Sequence, residues 1–162
     1  MNAPLTPTPS QQRTSWFVVL FALSVAPVIY VFIARMVAPG RPPSPLIATL
    51  HPAFMALAGV QLILGAFILL RARVPAPTDA TTAVGEVAPP AQFQARSVLG
   101  MAMFEAVSIY GFLLAFLGND PAECVVWSAV SMIGMLGVAL PVGVAYWRDL
   151  GQASTDPGTP RG

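Results

Sequence analysis

The 162-residue sequence has no lysine, one cysteine, one histidine and very little charge; every one of its eight basic side chains is arginine. Charged residues make up 9% of the chain and hydrophobic ones 56%. Soluble domains carry about 25% charged residues, so an ordinary soluble globule is excluded. With Cys124 alone, no intrachain disulfide and no thiolate metal site can form within one chain. With His51 alone, haem held by two histidines would need two chains. The formal charge of +1 comes with no basic patch, which argues against a nucleic-acid partner. HExxH, a Gly-rich phosphate loop and a Ser-His-Asp set are all missing. The expectation is therefore a non-enzymatic protein with no cofactor and no bound metal.

Long apolar runs take the place of charge. Four segments, about 16–37, 46–70, 97–117 and 124–147, each reach the ~20 residues that a helix needs to cross ~30 Å of hydrocarbon. The expected fold is all-α, an integral membrane four-helix bundle. Residues 1–14 and 150–162 read as disordered tails around a single membrane domain, 15–149. Residues 71–96, polar and rich in Ala, Pro and Thr, read as a mobile loop. The first fifteen residues, MNAPLTPTPSQQRTS, do not resemble a cleaved signal peptide, so the first apolar run is expected to remain as a helix.

Arginine placement suggests an orientation. Arg13, Arg71, Arg73, Arg96, Arg148 and Arg161 fall on the side of the two tails and the long loop, against Arg35 and Arg41 on the other. The positive-inside rule then puts both termini in the cytoplasm of a multi-pass protein, expected in a bacterial inner membrane. Trp16, Tyr146 and Trp147 would mark the cytoplasmic interface and Trp127 the outer one.

Small residues recur along the spans. In the fourth, Ser128, Ser131, Gly134 and Gly137 are spaced three apart. Such residues let helix backbones approach closely in lipid. They can serve the bundle itself, or a homo-oligomer or partner within a membrane complex. Apart from the bilayer, these are the only partners that the sequence suggests.

One residue breaks the apolar pattern. Ser97 to Leu117 reads SVLGMAMFEAVSIYGFLLAFL, and Glu105 is its single charge. An ionised carboxylate at mid-bilayer costs roughly 2.5 to 3.5 kcal/mol on insertion scales, so Glu105 is expected to face the protein interior and to be largely protonated at neutral pH. At ~1.5 Å per residue, Glu105 lies roughly 3 Å to the cytoplasmic side of its span's midpoint. Ser24 lies at roughly 3 Å and Gln61 at roughly 4–5 Å by the same measure. Three helices are thus expected to bring polar groups into one layer. Ser108, one turn away on the same face, and Tyr110, further round, complete the candidate ion-binding set. His51 lies roughly 10 Å to the outer side of its own midpoint. It reads as a hydrogen-bonded interfacial residue, or alternatively as a proton relay or ligand.

The string Gly100 to Leu117, GMAMFEAVSIYGFLLAFL, resembles the carboxylate-bearing helix of the c subunit, the rotor-ring proteolipid of rotary ATP synthases. The likeness spans residues 96–117 and is carried by Glu105-Ala106, then Ile109-Tyr110-Gly111, with Arg96 before the helix. It implies a glutamate that binds and releases a proton or sodium ion, a role that falls on Glu105 alone. Two functional expectations stand side by side. One is a small inner-membrane protein that binds or translocates protons or sodium at Glu105. The other is an accessory or assembly subunit of a membrane complex, in which Glu105 only fixes helix packing.

Overall fold

The computed structural model describes residues 8–37, 42–74 and 88–155. Its elements are α1 (Pro9–Val37), α2 (Ile47–Arg71), α3 (Pro90–Gly118), α4 (Pro121–Gly134), a π-helical turn (Met135–Ala139) and α5 (Leu140–Thr155). The last three run on as one span, so four helical units are long and apolar enough to cross a membrane. No strand occurs among the described residues. The all-α four-helix architecture expected from the apolar runs is the one observed.

Three of the four spans begin earlier than the apolar runs do. Residues 9–14, expected in the tail, form the first turns of α1. Thr8 and Gln11 explain this: the Gln11 side chain accepts from the Thr8 amide at 2.9 Å, and the Thr8 hydroxyl accepts from the Gln11 amide at 3.4 Å. That is a reciprocal capping box, with Pro9 at the first helical position, where its missing N–H costs nothing. Residues 90–96, expected in the loop, are the first turns of α3, which starts on Pro90. Likewise α5 runs on to Thr155, into the expected C-terminal tail. Residues 75–87, the middle of the expected loop, lie outside the described residues, as do 1–7 and 156–162.

A capped start also sets α4. The Asp120 carboxylate accepts from the Ala122 amide at 2.9 Å, and Pro121 follows the cap. Just before it, Asn119 closes α3 in the left-handed conformation, φ 57°, as helix ends favour. The π turn precedes Pro141, whose ring has no N–H to give and crowds the carbonyl four residues back. There the Leu140 amide bonds to the Met135 carbonyl, five residues back, which widens the turn just ahead of the proline.

The four spans are not equivalent. α3 packs against α1, α2 and α4, whereas α1 and α2 hardly meet. Small residues make this possible. A Cβ on Gly100 would come within 2.6 Å of Leu69 Cγ, and one on Gly134 within 2.7 Å of Phe104 Cδ1. Of the stripe on the fourth span, Ser128, Ser131 and Gly134 are buried inside the chain. Gly137 faces outward with nothing near it. Nine residues at ~100° each put Gly137 about half a turn of the helix from Ser128, so the four cannot share one interface.

The two ends of the bundle are closed differently. At the end that carries the start of α1 and the end of α5, here the terminal end, aromatic rings fill the space. Phe93 stacks on Tyr146 with centroids 3.6 Å apart, and Trp16 and Trp147 pack around them. Each polar tip but one finds a partner: Trp16 donates to Ser97 Oγ at 2.8 Å and Tyr146 to the Ala88 carbonyl at 2.7 Å, while the Trp147 indole N–H has none. Arg73 pairs with Asp149, and Arg96 donates to the Val74 carbonyl at 2.7 Å. The opposite, hairpin end is held by a backbone bond from Ser44 to Leu117 (2.7 Å) and by the side chains around Glu123.

Candidate functional site

Glu105 lies on the buried side of α3, 7% exposed. Both carboxyl oxygens are buried, and neither closes a hydrogen bond. Buried polar atoms in folded proteins are nearly always bonded, so a carboxyl group with two orphaned oxygens is the most unusual polar feature of the core. Ser108, one turn on, donates to the Glu105 backbone carbonyl at 2.7 Å and lies near its carboxyl group.

The neighbour from another helix is Tyr30 of α1. Its hydroxyl approaches the Glu105 carboxyl group closely enough for the two to interact, without a bond of normal geometry. Its ring lies against Phe112, centroids 5.7 Å apart. Depth counted along the backbone points to Ser24 instead. Trp16 meets Ser97, so α1 and α3 run in register with an offset near 81 residues, and Ser24 stands level with Glu105. Ser24, however, donates to the Leu20 carbonyl of its own helix at 2.8 Å and touches Met135 Sδ at 3.7 Å. Helical side chains lean toward the N-terminus and cover the turn before their own Cα. A long phenol set more than a turn further along α1 therefore reaches back to Glu105, while the short serine at the right depth does not.

Gln61 and Tyr110 sit elsewhere. Gly100, Leu114 and their neighbours form the face of α3 that meets α2. Five residues beyond Gly100, Glu105 points about 140° away from that face. The Gln61 carbonyl oxygen is buried without a partner and does not bond to Glu105. Tyr110 stacks on Phe54 of α2, centroids 5.1 Å apart and rings nearly parallel. Of the set expected from sequence, the structure gathers Glu105 and Ser108, leaves Ser24, Gln61 and Tyr110 apart, and adds Tyr30. The signal for Tyr30 was its long polar-tipped side chain on the span parallel to α3.

His51 lies at the hairpin end, 3.3 Å from Glu123 Oε1, and both side chains are partly exposed. Trp127 donates to Glu123 Oε2 at 3.0 Å. Both oxygens of this second glutamate are thus engaged. Cys124 is buried with its sulfur 3.9 Å from Ser128 Oγ. No group of three or more His, Cys, Asp or Glu able to hold a metal ion occurs among the described residues.

No protein-family model, curated protein or solved structure matches the chain. The likeness of residues 96–117 to the proteolipid helix thus stands on that string alone.

Proposed function

We propose that this four-span protein uses Glu105 as a protonatable site in the membrane core, one that binds and releases a proton within the α1–α3 interface. The observation that carries the reading is the pair of buried, unbonded carboxyl oxygens. An acid kept for packing would spend those oxygens on bonds, as Glu123 does at the hairpin end, where one oxygen meets His51 of α2 and the other accepts from Trp127 of its own helix. This difference weighs against the accessory-subunit reading, in which Glu105 only fixes packing.

Tyr30 suits both states of such a site. A hydroxyl can accept a hydrogen bond from the protonated acid and donate one to the carboxylate. Release of the proton then needs rotation of two side chains rather than movement of helices. Sodium is less well served, because hard cations take several oxygens, and among the described residues the side chains that interact with the carboxyl group are those of Tyr30 and Ser108. The arginine asymmetry supports an orientation with the terminal end in the cytoplasm.

Labelling by an apolar carbodiimide, mapped by mass spectrometry in native membranes, tests the reading. The reagent needs a protonated carboxyl group. Labelling of Glu105 near neutral pH that fades as the pH rises, and that sodium leaves unchanged, is the expected result. Protection by sodium would reassign the site to that ion. Absence of labelling at every pH, in folded protein, would make Glu105 a sealed packing residue and favour the accessory role.

A further inference from the structure

Two adjoining cavities at the terminal end share Arg13 and Thr14. The larger, about 680 Å³, lies between α1, the start of α3 and the end of α5; Ser10, Pro90, Trp147 and Leu150 help to line it. The smaller, about 380 Å³, continues along α1 past Phe17, Val18 and Phe21. Those positions, with 13 and 14, recur at helical spacing and form one face of α1. Val18 and Phe21 are 61% and 73% exposed. The face therefore changes from a cation to a bare apolar strip as it runs from the bundle end toward the membrane core.

Charge at this end is unevenly matched. Arg73 and Arg148 lie beside Asp149, Arg96 is held by backbone carbonyls, and Arg71 rests over the Phe67 ring at 4.6 Å, away from both cavities. Arg13 rests over the Phe17 ring at 5.9 Å, and no carboxylate lines either cavity among the described residues. The first turns of α1 and α3 also carry no acidic side chain. A guanidinium at the head of an apolar groove, at the depth of a membrane interface, is complementary to a phosphate joined to an acyl chain.

We propose that this paired cavity binds one anionic phospholipid, with its phosphate on Arg13 and an acyl chain along Phe17, Val18 and Phe21. The Ser10 hydroxyl, bonded to the Thr8 hydroxyl at 3.0 Å, lines the headgroup end, and Trp147 and Leu150 wall off the glycerol region. The site is independent of Glu105, which lies deeper, on α3.

The test is native mass spectrometry of the full chain released from vesicles of equimolar phosphatidylglycerol and phosphatidylcholine. Retention of the anionic lipid should exceed that of the neutral one by about fivefold, the factor for one interfacial arginine. Arg13→Gln should bring the two to parity. Arg148→Gln removes the same charge from the same end without touching the cavity, and should leave the preference intact. Phe21→Ala should weaken retention of both lipids, and inorganic phosphate should fail to displace either. Equal retention by the wild-type protein would overturn the proposal, as would an equal loss in Arg148→Gln. Displacement by free phosphate would show a soluble-anion site instead and would also overturn it. A thermal melt of Arg13→Gln matching the wild type keeps a lost preference from being ascribed to misfolding.

Discussion

Two glutamates in this bundle face opposite circumstances. Glu123, at the hairpin end, is partly exposed, yet both its oxygens are engaged, by His51 and by Trp127. Glu105, in the buried core, has neither oxygen bonded. If both acids served to hold helices together, the buried one should be the better bonded, because an unmet hydrogen bond costs more where water cannot substitute. The reverse is seen. That reversal is the ground for the proposed proton site at Glu105.

The comparison breaks most completely at Gly111. A Cβ there would fall 2.8 Å from Trp127 Cγ, against the side chain that donates to Glu123. Gly111→Leu should displace the indole and cost about 3 kcal/mol through overpacking, visible as a large drop in thermal stability in detergent. A smaller loss is expected from Glu123→Ala, which leaves His51 and Trp127 without their shared acceptor. That change should cost about 1–2 kcal/mol, since part of the cluster is reached by solvent. Glu105→Leu should cost nothing, or stabilise the protein by about 1 kcal/mol, because it removes two orphaned oxygens. Equal losses from the two glutamate replacements, in matched melts, would erase the distinction between them.

The finest contrast concerns the neighbours of Glu105. Tyr30→Phe removes one oxygen and should change stability by less than about 0.5 kcal/mol. It should nevertheless alter the pH profile of carbodiimide labelling at Glu105. Ser24→Ala, at the same depth as Glu105 but bonded to its own helix, should leave that profile unchanged. A profile that responds to Ser24 and ignores Tyr30 would show that depth alone selects the partner.

That contrast also marks how far the sequence could be read. The four spans follow from long apolar runs, and Glu105 stands out as the one carboxylate within them. The azimuth of each helix does not follow from depth. Ser24 and Gln61 were expected beside Glu105 because they share its level, yet α2 packs on the far side of α3 and Ser24 turns to its own backbone. The Gly100 face of α3 carried the missing information, since small residues show where a neighbouring helix presses closest. The start of α1 lies outside the apolar run for a simpler reason: its first turn is polar, and Thr8-Pro9-Ser10-Gln11 spells a capping box.

The most direct test of a proton that comes and goes is infrared difference spectroscopy of the reconstituted protein during a pH titration, with Glu105→Gln alongside. A protonated buried acid has a carbonyl stretch resolved from ionised carboxylates and from amides. A proton site at Glu105 gives such a band in the wild-type protein, lost reversibly on alkaline titration and absent from Glu105→Gln. A band that persists at every pH at which the protein stays folded, or one unchanged in Glu105→Gln, would contradict it.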